Sequence, residues 1–113
     1  MPRQKLNPLP TAAFHIMMSL ADQDLHGYEI MRRVEEQTEG KTRLGPGTLY
    51  SSIQALLEAG FIAEVSNDHA SDERRRYYRL TASGRRASRE EAERLAGVVR
   101  LARSKKFLKG EYV

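Results

Sequence analysis

The chain has 113 residues, a formal net charge of +4 and no cysteine, which fits one domain with a modest core and excludes disulfides, thiol catalysis and cysteine-ligated zinc. Apolar residues make up 40% and charged residues 30%, a globular balance rather than a disordered one. No apolar run approaches the roughly 20 residues of a membrane-spanning helix, and Met-Pro-Arg-Gln-Lys is not followed by the apolar stretch of a secretory signal, so a cytoplasmic protein with no membrane partner is expected, which the lack of cysteine also fits.

Residues 1–10 carry Pro2, Pro8 and Pro10 and read as an extended arm. Thr11 is the expected cap of a first helix beginning at Ala12, with Ala13, Met17, Leu20 and Ala21 on one face and Phe14 and Met18 beside it. Asp22-Gln23-Asp24 ends that helix. A second helix is predicted from about His26-Gly27, with Ile30, Met31 and Val34 as its apolar stripe and Gly40 as its stop. The turn Lys41-Thr42-Arg43-Leu44-Gly45-Pro46-Gly47 follows, and Pro46 suits the first position of a third helix that runs to Ala59 and stops at Gly60. Its faces differ: Leu49, Ile53, Leu56 and Leu57 make a core stripe, while Gly47, Tyr50, Ser51 and Gln54 lie on another side.

Phe61–Ser66 reads as a strand, Asn67–Glu73 as a polar loop, and Arg74–Leu80 as a second strand with Tyr78 and Leu80 on one side and Tyr77 and Arg79 on the other. Thr81 then caps a long helix to about Lys105, which Gly84 and Gly97 weaken locally. Ala92, Leu95, Val99 and Ala102 line one face of it, and Val98 and Leu101 widen that face. Three helices followed by a hairpin is the order of a mainly α winged helix-turn-helix, here residues 11–81. Residues 82–105 form a separate terminal helix whose unmatched apolar stripe predicts a homodimer seam, and residues 106–113 are a tail.

The third helix has the make-up of a groove reader, with an ordinary solvated helix face as the competing reading. Small residues at its start let the backbone approach a duplex, and a helix N-terminus attracts phosphate. Gln54 can bond a base edge in two places, Thr48 and Ser51 can select, and Tyr50 and Ser51 can reach phosphate. Lys41 and Arg43 precede this helix. Arg74 and Arg75 sit at the base of the wing, where cations gain from counterion release; a charged edge strand is the competing reading, and strand alternation sends Arg76 to the opposite face. Tyr28 reads equally as a phosphate contact or as packing on the third helix.

No enzymatic constellation emerges. His15, His26 and His69 have no metal-like spacing and read as helix, cap and loop residues. Ser51 and Ser52 lack a nucleophile elbow, and Gly45-Pro46-Gly47 lacks the lysine of a phosphate-binding P-loop. Glu90, Glu91 and Glu93 read as a solvated face. With Glu35, Glu36 and Glu39 they also support the alternative of a winged-helix protein-interaction module that does not bind DNA.

Four stretches carry a further signal: His26-Gly27-Tyr28-Glu29-Ile30, Leu44-Gly45-Pro46-Gly47-Thr48-Leu49-Tyr50, Leu57-Glu58-Ala59-Gly60-Phe61-Ile62 and Arg75-Arg76-Tyr77-Tyr78-Arg79-Leu80-Thr81. In order and spacing they resemble the PadR family of bacterial transcription regulators in its short form. The resemblance implies a DNA-binding regulator, usually a repressor on a palindromic operator, with no enzymatic activity and no cofactor. It implies a twofold dimer built by the terminal helix, with Phe14 and Met18 of the first helix helping, and release of double-stranded DNA by a small apolar or aromatic effector. Some short-form members stack flat ligands between tryptophans of that helix, whereas this chain has no tryptophan. Val98 and Val99 read as dimer packing in preference to the lining of a small apolar pore.

Overall fold

The computed structural model describes Leu6, residues 8–66 and residues 76–109. Those residues form α1 (Thr11–Ser19), β1 (Leu25–His26), α2 (Gly27–Gln37), α3 (Pro46–Ala59), β2 (Ile62–Val65), β3 (Tyr77–Leu80) and α4 (Ala82–Ser104). The strands make one antiparallel sheet in the order β1-β3-β2. In its register Ile62 faces Leu80 and Val65 faces Tyr77. The short strand β1 is not visible in the sequence, because two residues carry no periodicity. It pairs Leu25 with Tyr78 and His26 with Tyr77, closing the free edge of β3.

The core lies between the first three helices and the inner face of the sheet. Ile16, Met17, Ile30, Leu49, Leu56 and Val34 are its largest fully buried side chains. Each stabilises the fold by about 1.5–3 kcal/mol relative to an exposed position. Tyr78 and Leu80 point inward and Arg79 outward, as strand alternation predicts. Ile16 is the residue the helical pattern missed: α1 is apolar on most sides, so periodicity alone does not choose its inner face. The fold chooses, leaving Met18 exposed and Phe14 half-buried against the core.

The helix ends divide into expected and corrected ones. Pro46 opens α3, and Gly60 closes it in the left-handed conformation at φ 78°. Phe61 N–H then donates to the Leu56 carbonyl at 3.0 Å. Thr81 caps α4 by accepting from Gly84 N–H at 3.0 Å. Thr11, in contrast, is the first residue of α1 rather than its cap; Pro10 precedes it, and no side chain caps that end. α2 stops at Gln37, with Thr38 as its C-cap; Gly40, at φ 80°, serves the turn beyond and donates to the Glu35 carbonyl at 2.8 Å.

Two positions in α4 differ from expectation. Gly84 is a buried contact rather than a weak point, pressed against the Phe61 carbonyl. Glu91 is not on a solvated face: only 6% of it is exposed. Its carboxylate takes two bonds from Arg94, at 3.0 and 2.6 Å, and one from Leu9 N–H at 3.4 Å. The Arg94 guanidinium holds this carboxyl below its ordinary value against the opposing effect of burial, and the Leu9 amide adds to the lowering. The arm is thus tied to α4 through Leu9, whose side chain enters the core.

Candidate nucleic-acid interface

The burial of Leu49, Ser52, Ile53 and Leu56 fixes how α3 is rotated about its axis. The opposite side is left open, and Gly47, Thr48, Tyr50, Ser51 and Gln54 are all exposed there. Gly45 stands before the helix with no side-chain cap, and Pro46 has no N–H to offer. The free N–H groups of the first turn therefore remain available to an anion. Ser51 Oγ donates back to the Thr48 carbonyl at 3.2 Å, and Gln54 Nε2 donates to Glu58 Oε2 at 3.2 Å. The Glu58 bond orients the Gln54 carboxamide along the outside of the helix.

Tyr50 is 56% exposed, yet its ring crosses the start of α2. A Cβ placed on Gly27 would stand 2.9 Å from the Tyr50 hydroxyl. Gly27 thus gives the phenol room to lie flat, a role that residue type and spacing did not reveal. His26 fixes the α2 end beside it: Nδ1 accepts from Glu29 N–H at 3.4 Å, and Glu29 Oε1 accepts from His26 N–H at 3.1 Å. The His26 ring meets Tyr77 edge-on, with centroids 5.3 Å apart.

Between α2, α3 and β3 lies a cleft of about 520 Å³. It brings together Tyr28, Tyr50 and Gln54, three of the predicted residues, and adds Arg76. Strand alternation had sent Arg76 to the other face; it stands just before β3, where no ladder constrains it. Tyr28 is 60% exposed, with the Arg32 guanidinium 6.0 Å from its ring centroid, so it faces outward rather than packing on α3. At the back of the cleft Tyr78 has its pKa raised by burial and by Glu64, an effect Arg76 opposes and Tyr50 supports, so this phenol stays protonated.

Lys41 and Arg43 are exposed in the segment leading into α3. Arg43 Nε lies 3.4 Å from Glu35 Oε2, a surface pair of about 0–1 kcal/mol that phosphate can displace. Arg74 and Arg75 lie outside the described residues, as does His69. Among the described residues no cluster of His, Asp or Glu could hold a metal ion, and no helix is long and apolar enough to cross a membrane.

Among the described residues the apolar stripe of α4 has no partner. Leu95, Val98, Val99 and Leu101 are exposed, as is Ala92, while Ala102 is half-buried. Phe107 and Leu108, which the sequence reading left in the tail, are exposed just beyond it.

Residues 16–90 match the sequence profile of the Transcriptional regulator PadR-like family. The chain belongs to that family. PadR-like proteins are transcriptional regulators, not enzymes. A transcriptional regulator from Clostridium thermocellum superposes with a TM-score of 0.73 at 26% identity, over 87% of this chain and 90% of that one. A PadR family regulator from Clostridium difficile gives 0.72 at 23% identity, over 84% and 97%. Bacillus subtilis PadR, solved with operator DNA, shares the winged-helix fold with a TM-score of 0.63 at 21% identity, over 72% of this chain and 47% of that one. Among curated proteins, a 37.1 kDa protein of transposon Tn4556 from Streptomyces fradiae is 38% identical over 81 residues. A Lysinibacillus sphaericus protein is 29% identical over 70 residues. The aligned stretches cover 72% and 62% of this chain but only 22% and 64% of those two proteins, respectively.

Proposed function

We propose that this PadR-like chain binds a palindromic operator as a homodimer and represses transcription in the cytoplasm. The observation that carries the reading is the face of α3 left uncovered by the fold, with Gly47, Thr48, Tyr50, Ser51 and Gln54 outward and every leucine and isoleucine of the helix inward or half-covered. Such a helix can lie in a major groove with its N-terminal turn against a phosphate. Thr48, Ser51 and Gln54 then select bases, and Gln54 offers the paired donor and acceptor that an adenine edge accepts. Tyr28 and Tyr50 bond phosphate, and Lys41, Arg43, Arg74 and Arg75 supply affinity that does not depend on sequence.

The stripe Ala92, Leu95, Val98, Val99 and Ala102, with Phe14 and Met18 at its flank, forms the twofold seam. Two copies of α3 then face half-sites about 34–36 Å apart, one turn of the duplex. A small apolar or aromatic effector that favours the unbound dimer completes the regulation; with no tryptophan in the chain, it does not use tryptophan stacking. Selection of binding sites from random duplexes tests the reading. A twofold-symmetric consensus is the expected result, and retention of no sequence above background overturns it.

A further inference from the structure

The end of α3 and the start of α4 are joined by a tight corner that neither recognition nor dimerisation explains. Gly60 and Phe61 are the two residues that follow α3, and both of their carbonyls are taken by one residue, Thr81. Thr81 Oγ1 donates to the Gly60 carbonyl at 2.7 Å, and Thr81 N–H donates to the Phe61 carbonyl at 3.1 Å. The same Oγ1 accepts from Gly84 N–H at 3.0 Å, so the cap of α4 is also its tether to α3. Gly84 completes the joint. A Cβ there would run into the Phe61 carbonyl oxygen and stand 2.7 Å from Leu80 Cδ1 and 2.9 Å from the Phe61 carbonyl carbon. Glycine inside a helix costs about 1 kcal/mol against alanine, and here the space admits nothing larger.

We infer that Gly84 and Thr81 are positioning residues that weld the recognition helix to the dimer helix and so set the spacing between half-sites that the dimer accepts. The inference rests on the operator-binding reading above. The next residues of α4 are braced on α1 and the turn after it: Arg85 Nη2 donates to the Ala21 carbonyl just beyond α1 at 2.8 Å, and Ser88 Oγ donates to Met17 Sδ at 3.6 Å. The corner is the part of the frame that reaches α3 by the shortest route. Leverage makes it matter. A helix of 23 residues is about 35 Å long, so a pivot of about 6° at its base moves the far end by 3–4 Å. One base pair of duplex is about 3.4 Å of rise. A methyl group at position 84 that forces such a pivot misplaces one half-site by about a base pair.

Two measurements test the weld. The first compares affinity for the selected palindrome with affinity for versions whose central spacer is one base pair shorter or longer. Gly84→Ala moves the optimum or reduces the preference by about fivefold or more, with dimerisation unchanged in sedimentation. Thr81→Val reduces it less, and Thr81→Ser, which keeps the hydroxyl, restores it. The second measurement needs no DNA. Because the chain has no cysteine, spin labels at Glu58→Cys on α3 and Glu93→Cys on α4 are specific, and labelled chains diluted with unlabelled ones report the distance within a protomer. The wild-type distribution is narrow, Thr81→Val broadens it, and Thr81→Ser narrows it again. Should Gly84→Ala fail to fold, Thr81→Val decides. An unchanged distance distribution in Thr81→Val overturns the weld, and a broadened distribution with unchanged spacer preference overturns its role in spacing. If the wild type selects no sequence at all, operator binding fails, and the label distances still decide the joint.

Discussion

α3 and α4 each carry an apolar stripe, and the two stripes meet opposite fates. In α3 the stripe is spent on the core, so Leu49, Ile53 and Leu56 are covered and the polar side is left to face outward. In α4 the first half is bound to the rest of the chain by Gly84, Arg85 and Glu91, while the second half leaves Leu95, Val98, Val99 and Leu101 bare. Val98 alone is 48% exposed. A helical stripe thus says that a face must be covered, and only the fold says whether this chain or a second copy covers it.

The contrast breaks most visibly if α4 is charged. Val99→Glu places carboxylates in the proposed seam, and sedimentation should show a monomer whose operator affinity falls on the order of 10²–10⁴-fold as the two half-sites uncouple. An unchanged dimer would show that the bare face belongs to something else. Paired truncations sharpen the same contrast. Leu56→Ala should cost about 2–5 kcal/mol in chemical denaturation at any protein concentration. Leu95→Ala should destabilise only where dimers form, so its effect on the denaturation midpoint should change with concentration. On the outer side of α3, Gln54→Ala should leave the fold intact and cut discrimination at one base position by about 1–3 kcal/mol, read as competition between site variants. The smallest effect concerns Glu91. Its folded-state pKa lies below the ordinary 4.5, so the carboxylate adds stability above pH 4.5 that is lost as pH falls through the folded value. Glu91→Gln should remove that part of the acid limb in denaturation measured between neutral and low pH; an unchanged limb would show that Arg94 holds the carboxylate no better when folded than when unfolded.

Much of this was legible because particular residues punctuate the chain. Pro46 and Gly60 bracket α3 to the residue, Thr81 marks the start of α4, and alternation in β3 sorts Tyr78 and Leu80 from Arg79. Several of the misses share a cause, since they depend on how distant parts of the chain meet. Glu91 reads as wet beside its arginines until the arm arrives from position 9. Gly84 reads as a flaw until the Phe61 carbonyl is seen against it. Arg76 joins the cleft through the placement of β3, and Gly27 matters through Tyr50, so neither role has a local signature.

The bond between Leu9 and Glu91 joins residues 82 positions apart. Its consequence concerns manufacture. As the chain leaves the ribosome, its first helix emerges early and then waits, with one flank unclad, until the segment around Glu91 has been made. The finished domain closes from the back, and a product cut short before position 91 would hold its opening segment by the Leu9 side chain, without the backbone tie to α4.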